Sequence, residues 1–187
     1  MALAGGVTTA VACPGNANLI GGTCAAVKTA GKTVSELVMV PELAFLMCLT
    51  DTVKNTYEGK RSPKTRLASA ALIREALIKA KNYHTLWKRA QEDPKYEPPK
   101  FDMKLHSLMR VFDGMPVKIT AKRSHDITTA IRIAEEFGLN YTLEDATESW
   151  LIPEVLKKHN VKCVVGPSYG EKNNENRYRD PIVGSVL

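Results

Sequence analysis

Ionisable side chains are concentrated in two short segments in the last third of the chain. The segments Lys122–Asp126 and Glu144–Glu148 each follow a short run of apolar and β-branched residues. Acids, bases and hydroxyl groups held close together are what a polar active site requires, for proton transfer or for holding a metal ion. Capping of the following helices by Ser124, Asp126 or Glu148 is the alternative interpretation. The candidate site residues of the two segments are Lys122, Arg123, His125, Asp126, Glu144, Asp145, Thr147 and Glu148.

The elements around these segments alternate between strand and helix. The pattern predicts, in chain order, a strand over Pro116–Ala121, a helix over His125–Phe137, a strand over Asn140–Leu143, a helix over Ser149–His159 and a strand over Val161–Val165. Helical connections are long enough to join parallel strands, so we expect a parallel sheet and an α/β fold. In such folds ligands bind where the strands end. This rule adds the segments Pro14–Asn18 and Gly166–Tyr169, the latter with Ser168.

The first two-thirds of the chain are less regular. Val7–Cys13 is a β-branched run closed by a Pro-Gly pair, which is typical of a buried strand. Asn16–Gly31 is rich in Gly and Asn and predicts a long loop with a small hairpin or a close backbone approach. Glu36–Val40 predicts a short strand. Apolar residues at three- and four-residue spacing predict a long helix over Arg66–Arg89 and a second over Phe101–Phe112.

Length and composition indicate one ordinary globular domain over residues 1–187. The 187 residues are 44% hydrophobic and 25% charged, with a mean hydropathy of −0.20, which disfavours disordered, fibrous and membrane-embedded classes. The apolar opening MALAGGVTTAVA has no basic leading segment and is shorter than the ~18 residues of a membrane span. We therefore expect neither a secretory signal nor a membrane partner. The four scattered cysteines predict buried thiols in a cytoplasmic protein.

The net charge of +6 arises from one stretch of the chain. Lys54–Lys104 has 13 basic and 6 acidic residues, and the remainder has 13 basic and 14 acidic residues. A basic surface can bind nucleic acid or anionic metabolites, or it can be a solvated helix face. The sequence contains no RNP pattern, zinc-finger spacing or heptad-linked basic region, so we expect no nucleic-acid partner.

Five segments together resemble the amidohydrolase superfamily, and more narrowly its group related to imidazolonepropionase. They are GGVTTAVACPGNANLIGG, SPKTRLASAALIREALIKAKNY, MPVKITAKRSHDITTAIRIAEEFGL, TLEDATESWLI and VVGPS, which keep the family order from Gly5 to Ser168. The resemblance implies a partial (β/α)8 barrel of the metal-dependent hydrolase type. It also implies hydrolysis of C–N bonds in non-peptide and cyclic amides, with zinc or another divalent ion activating water.

The departures from the family pattern fall on its metal ligands. The family's His after the ITA strand is replaced by Lys122, and its next His by Asp145; a family Glu falls near Asp51. By this resemblance the chain begins after the His-x-His strand and stops before the last strand with its Asp, so we expect a truncated barrel. A protonated lysine has no lone pair for a metal. We therefore predict a Lys122–Asp145 ion pair in the place of the metal, with Asp51 and Asp145 as the remaining candidate ligands.

Three functions remain open at this point. The first is a metal-dependent hydrolase that takes a small amide substrate. The second is a pseudoenzyme, a half-barrel that self-associates or binds a related chain or a small anion. The third is a binder of nucleic acid or anionic metabolites through Lys54–Lys104. No G-x-S-x-G elbow, phosphate-binding loop or cysteine nucleophile supports another chemistry. The histidines His84, His106 and His159 fall on predicted helices and are expected to be structural.

Overall fold

A five-stranded mixed sheet with its two longest helices packed on one face forms the framework of the protein. The computed structural model describes residues 2–56 and 63–165. The strands follow one another along the sheet in sequence order: β1 (Thr9–Ala12), β2 (Ile20–Lys28), β3 (Val38–Cys48), β4 (Val117–Thr120) and β5 (Tyr141–Glu144). Neighbours are antiparallel from β1 to β3 and parallel from β3 to β5.

The two longest helices are those predicted over Arg66–Arg89 and His125–Phe137. Within the described residues the helices are α1 (Val34–Leu37), α2 (Asp51–Thr56), α3 (Arg66–Glu92), α4 (Met103–Leu108), α5 (Ser124–Phe137) and α6 (Pro153–Lys158). Thr65 caps α3 by accepting a hydrogen bond from the Ala68 amide, and Gly138 ends α5 in the left-handed conformation at φ 65°. The helix predicted over Phe101–Phe112 is α4 continued by a 3₁₀ turn.

The predicted β-α-β-α order is confirmed in the last third of the chain, and the last predicted strand, Val161–Val165, is reduced to a single bridge. Helix α5 connects β4 to β5, and β5 is followed by α6 and by a parallel bridge between Leu143 and Cys163. The helix predicted over Ser149–His159 is divided into a 3₁₀ turn and α6. Helix α6 begins at Pro153, which has no backbone N–H and suits a first helical position.

The strand predicted over Val7–Cys13 is confirmed as β1, but the prediction that it is buried is wrong. Strand β1 is exposed along its whole length and forms the edge of the sheet. The segment predicted as a loop over Asn16–Gly31 contains β2, whose nine residues pair with β1 and β3. The link between Ala12 and Ile20 is too short for the crossover of a dozen or more residues that parallel strands need. Strands β1 and β2 are therefore antiparallel, which corrects the expectation of an all-parallel sheet.

The position of β3 also differs from the prediction. Glu36 lies in the short helix α1, and the strand begins at Val38 and continues to Cys48. Its second half is apolar without alternation because both faces are covered. Phe45 and Met47 belong to the core between sheet and helices, and Leu46 belongs to a smaller cluster on the other face. A strand buried on both faces lacks the alternation that identifies strands in a sequence.

The cysteines are not all free thiols. Cys13 and Cys24 form a disulfide, whereas Cys48 is a buried thiol and Cys163 a partly buried one. The antiparallel register places Ala12 opposite Ala25, so the next residue along β1 comes beside Cys24. Only the strand pairing reveals this proximity, because the spacing of the two cysteines is not a recognised motif.

The main core lies between the parallel strands and helices α3 and α5. Its most buried members include Met47, Ile73, Leu77, Val117, Ile119, Ile127 and Leu143. Side chains alternate along a strand, so Lys118, Thr120 and Glu144 lie on the opposite face of the sheet from this core. In the ranges that the structure describes, no helix is long and apolar enough to cross a membrane.

Candidate functional site

Three of the four predicted site segments meet at one edge of the sheet. The register aligns Cys48 with Thr120 and Thr120 with Glu144, so the carboxyl ends of β3, β4 and β5 lie side by side. Asn16, from the predicted segment Pro14–Asn18, joins them: its Oδ1 accepts hydrogen bonds from Cys48 Sγ at 3.2 Å and Thr120 Oγ1 at 3.4 Å. The fourth segment, Gly166–Tyr169 with Ser168, lies outside the described residues.

An open cleft of about 400 Å³ lies where these strands end, and we call it the strand-end cleft. Its polar wall consists of Asn16, Lys118, Thr120, Glu144 and Asp145. The volume is in the range of small-molecule sites. The cleft therefore lies where ligands bind in folds with parallel strands, at the carboxyl ends of the strands.

Two ion pairs connect β4 to β5 at this cleft. Lys118 Nζ lies 2.8 Å from Glu144 Oε1, and Lys122 Nζ lies 3.9 Å from Asp145 Oδ2. The second is the pair that the sequence predicts. Asp145 has a positive φ of 59°, a conformation that aspartate tolerates better than most residues. On this side of the site, each positive charge at β4 therefore lies beside a negative charge at β5.

Arg66 connects the end of β3 to the start of α5. Its Nη2 lies 2.9 Å from Asp51 Oδ2, and its Nε lies 3.1 Å from Asp126 Oδ1. Asp51 also contacts Lys54 Nζ at 2.5 Å and Arg123 Nη2 at 3.1 Å. A carboxylate with three cationic neighbours is strongly held as an anion.

The two aspartates of this network have opposite pKa shifts. Burial acts to raise the pKa of Asp51, but the hydrogen bond from Lys54 and the charges of Arg66, Lys54 and Arg123 outweigh it, so this pKa is lowered. Burial dominates for Asp126, whose pKa is raised although His125, Arg66 and Arg123 act against the shift. Asp51 is therefore the anion that anchors the network, and Asp126 is the carboxyl that protonates more readily.

Glu148 and Thr147 connect the segment after β5 to the segment after β4. Glu148 Oε2 accepts a hydrogen bond from the Ser124 amide at 2.9 Å, and the Glu148 amide donates to the Lys122 carbonyl at 2.9 Å. Thr147 Oγ1 donates to the same carbonyl. Glu148, which follows β5, thus accepts a hydrogen bond from a backbone amide at the start of α5 that has no partner within the helix. The capping interpretation is therefore wrong as stated: neither Ser124 nor Asp126 caps α5, Asp126 contacts Arg66, and Glu148 acts on α5 and not on the turn that follows it.

The histidines do not converge on the strand-end cleft. His125 is 53% exposed at its side chain, with Nε2 3.5 Å from Asp126 Oδ1. His84 contacts Asp113, and His159 contacts Glu135. His106 packs against the rings of Trp87, Phe101 and Tyr83. All four belong to helices or to a helix end, where their contacts are structural.

The residues at this edge do not fit a divalent metal ion. In 2–56 and 63–165, no three His, Cys, Asp or Glu side chains are grouped to hold one. Asp51 is occupied by Lys54, Arg66 and Arg123, and Asp145 by Lys122. Ammonium and guanidinium groups donate hydrogen bonds and have no lone pair for a metal. An ion placed among them would meet positive charge at short range.

Arg66 is the residue of this candidate site that sequence reasoning missed, and for Asn16 it missed the contacts. Arg66 is the first residue of α3, and in an α/β unit the helix after a strand begins at the edge where that strand ends. Helix starts could therefore have been added to the candidate segments. Asn16 lay inside a predicted segment, but its contacts with β3 and β4 depend on pairing between distant parts of the chain.

Comparison with known proteins gives one informative match. No family model and no curated protein matches the chain. The crystal structure of an amidohydrolase from Thermotoga maritima MSB8 matches 96% of this chain at 35% identity, with a TM-score of 0.89. The chain has an amidohydrolase-like fold. It spans about half of that structure, 47% of its length, and its mixed sheet with helices is consistent with a partial α/β barrel. Placement in the imidazolonepropionase-related group stays a prediction.

Proposed function

We propose that this chain is an amidohydrolase-like barrel segment that has no catalytic metal of its own and acts as a pseudoenzyme. The Lys122–Asp145 pair carries the proposal, because the resemblance puts metal-binding histidines at both positions. Two imidazoles would offer lone pairs to a cation. A lysine and an aspartate 3.9 Å apart instead attract each other and leave no neutral ligand.

The surroundings of Asp51 support the same proposal. This is the other position at which the resemblance suggests a carboxylate ligand, and three cationic side chains contact it. Its lowered pKa reflects how strongly these neighbours hold it as an anion. A metal ion at Asp51 would have to displace Lys54, Arg66 and Arg123, and the network would then contain uncompensated positive charge.

Zinc binding of the full chain tests the proposal. After incubation with excess zinc chloride and dialysis, the wild-type chain is expected to retain well below one zinc per chain. The double variant Lys122→His/Asp145→His is expected to bind zinc about tenfold or more tightly, because two neutral ligands replace the ion pair. Lys81→His/Glu92→His, on the exposed surface of α3, is the matched control and is expected to behave as wild type.

Hydrolysis is the second readout of this test. The wild-type chain is expected to leave a cyclic amide such as a hydantoin intact, with or without added zinc. Stoichiometric zinc in the wild type, together with turnover that a chelator abolishes and zinc restores, would overturn the proposal. It would establish the second candidate function, metal-dependent hydrolysis of non-peptide C–N bonds. The observation that favours this candidate is the 35% identity to a structure of an amidohydrolase.

We further propose that a second copy of this chain covers exposed outer strands of the sheet. In the described residues, β1 forms one edge and is exposed throughout, and Val164 beyond β5 is 52% exposed. Unpaired strand edges and exposed apolar side chains favour association. Sedimentation velocity over a range of concentrations is expected to show a dimer or larger species. A compact monomer at every concentration would contradict this proposal.

A further inference from the structure

A second, smaller pocket lies between α2, α3 and α5, and we call it the basic pocket. Its polar lining comprises Thr50, Lys54, Arg66, Ser69, Asp126, Thr129 and Arg132. The pocket shares no lining residue with the strand-end cleft. Its volume is about 70 Å³, room for roughly two water molecules at ~30 Å³ each. This size suits one compact ion or the phosphoryl end of a larger molecule, and it is too small to enclose a whole amide substrate.

The charge around the basic pocket is predominantly positive. Lys54, Arg66 and Arg132 line it, and Asp126 is the one carboxylate in the lining. With the neighbouring Arg123 and Asp51 included, four cationic side chains surround two carboxylates. The excess of two positive charges matches the charge of one dianion.

Arg132 is the cation of this group that is available for a ligand. Arg66 is held by Asp51 and Asp126, and Lys54 by Asp51. Arg132 projects from the third turn of α5 and, within the ranges that the structure describes, has no ion-pair partner. A guanidinium group presents several N–H donors in a planar fork that fits the oxygens of phosphate and carboxylate.

Thr50 provides an independent indication of a ligand. The residue is only 6% exposed, and its hydroxyl is buried without a hydrogen-bond partner. Ser69 and Thr129, the other hydroxyl residues of the wall, donate to the carbonyls of Thr65 and His125. A buried hydroxyl without a partner is destabilising, and such groups are rare in native proteins. Thr50 borders the basic pocket, and rotation of its side chain toward the pocket would bring this buried hydroxyl to an anion bound there.

The N-terminus of α3 adds to the positive potential. Arg66 and Ser69 lie in the first turn of this 27-residue helix, where the peptide dipoles favour an anion. Lys54 and Arg66 also belong to the basic stretch Lys54–Lys104, whose excess charge the strand-end cleft does not use. Two cationic residues of that stretch therefore line a pocket that is large enough for one ion.

We propose that the basic pocket binds a tetrahedral oxyanion, either inorganic phosphate or sulfate or the phosphoryl group of a small metabolite. Arg132, Lys54 and Arg66 supply charged donors, and Thr50 supplies a hydroxyl donor. The bound anion connects α2, α3 and α5 at the edge where the strands end. This inference shares Lys54 and Arg66 with the network at Asp51, but it does not involve Lys122 or Asp145, the pair that carries the proposed loss of the metal.

Titration calorimetry of the full chain with inorganic phosphate tests the proposal. Sodium chloride holds the ionic strength constant, because non-specific attraction to a basic protein is screened by salt. One phosphate per chain is expected to bind, and sulfate is expected to compete with it. Phenyl phosphate distinguishes the sources: tighter binding than phosphate indicates a metabolite phosphoryl group, and exclusion indicates the free oxyanion. Absence of saturable phosphate binding would overturn the proposal.

Variants of the two key residues sharpen the test. Arg132→Ala is expected to weaken phosphate binding about tenfold or more. Thr50→Val, which replaces the hydroxyl by a methyl group of similar size, is expected to weaken it about threefold to tenfold while leaving the fold intact. Lys81→Ala removes the same charge from the exposed surface of α3 and is the control. Equal weakening by Arg132→Ala and Lys81→Ala, or no effect of Thr50→Val, would overturn the assignment.

Discussion

The antiparallel half of the sheet and its parallel half are held together in different ways. Strand β1 is exposed along its length, and Cys24 is the one buried residue of β2; a disulfide connects the two. In contrast, β4 has three buried residues of four and packs against α3 and α5. Backbone pairing and a covalent bond support the first half, and apolar packing supports the second.

The same contrast explains where the chemistry lies. Parallel strands all end at one edge, so the polar residues after β3, β4 and β5 come together. Antiparallel strands end at alternate edges, and the residues after β1 and β2 are separated. The segment Thr9–Lys28 has a single charged residue, Lys28, whereas the parallel strand ends contain Asp51, Lys122 and Asp145. Strand β1 runs in the same direction as β3, so Asn16 after β1 still reaches the cleft, whereas the residues after β2 do not line it.

The largest effect that tests this comparison is a loss of stability on truncating one buried valine. Val117→Ala in β4 removes a side chain with 0% exposure and is expected to lower the free energy of unfolding by about 2–3 kcal/mol, from lost burial and a residual cavity. Val11→Ala in β1 makes the same chemical change at 46% exposure and is expected to cost below about 0.5 kcal/mol. Urea unfolding monitored by circular dichroism measures both.

Equal losses in these two variants would break the comparison. They would mean that β1 packs as firmly as β4, for example against a second copy of the chain. Repeating the unfolding of Val11→Ala at several protein concentrations separates the two cases, because stability gained through association increases with concentration.

The accuracy of the sequence predictions follows the same division. Helices α3 and α5 were predictable because their apolar periodicity, the Thr65 cap and the Gly138 end are local signals. Strand β2 and its pairing with β1 were not predictable, because a short link and a disulfide set that pairing. Strand β3 was placed too early because its apolar second half has no alternation.

The candidate site was predictable in position but not in detail. The rule that ligands bind at parallel strand ends selected the segments of Lys122, Asp145 and Asn16. The rule could not identify Arg66, whose guanidinium reaches Asp126 across 60 residues of sequence. Contacts of this kind depend on the orientation of a side chain after the helices have packed, and the sequence contains no local signal for them.

An intermediate effect is expected from the hydrogen bond that joins two strand ends. Glu148→Ala removes the acceptor of the buried Ser124 amide and is expected to cost about 1–2 kcal/mol, whereas Glu148→Gln keeps an acceptor and costs less. Thr29→Ala removes an exposed hydrogen bond to the Val7 carbonyl in the antiparallel half and is expected to cost below about 0.5 kcal/mol. Urea unfolding orders the three, and a larger loss for Thr29→Ala would contradict the comparison.

The smallest effect is the dependence of the unfolding free energy on acidic pH. It must originate outside strands β1 and β2, because residues 2–31 contain no carboxylate side chain. The pKa of Asp51 is lowered in the folded chain, so its stabilising contribution is complete above the ordinary aspartate pKa of about 3.9 and is lost as the pH falls through the folded value. The raised pKa of Asp126 acts in the opposite sense, because the folded chain takes up this proton first and is stabilised by acid. Asp51→Asn is therefore expected to flatten, and Asp126→Asn to steepen, the fall in unfolding free energy between about pH 5 and 3. Unfolding midpoints across that range measure both slopes, and slopes that change in the same direction would show that the two aspartates titrate as one group through Arg66.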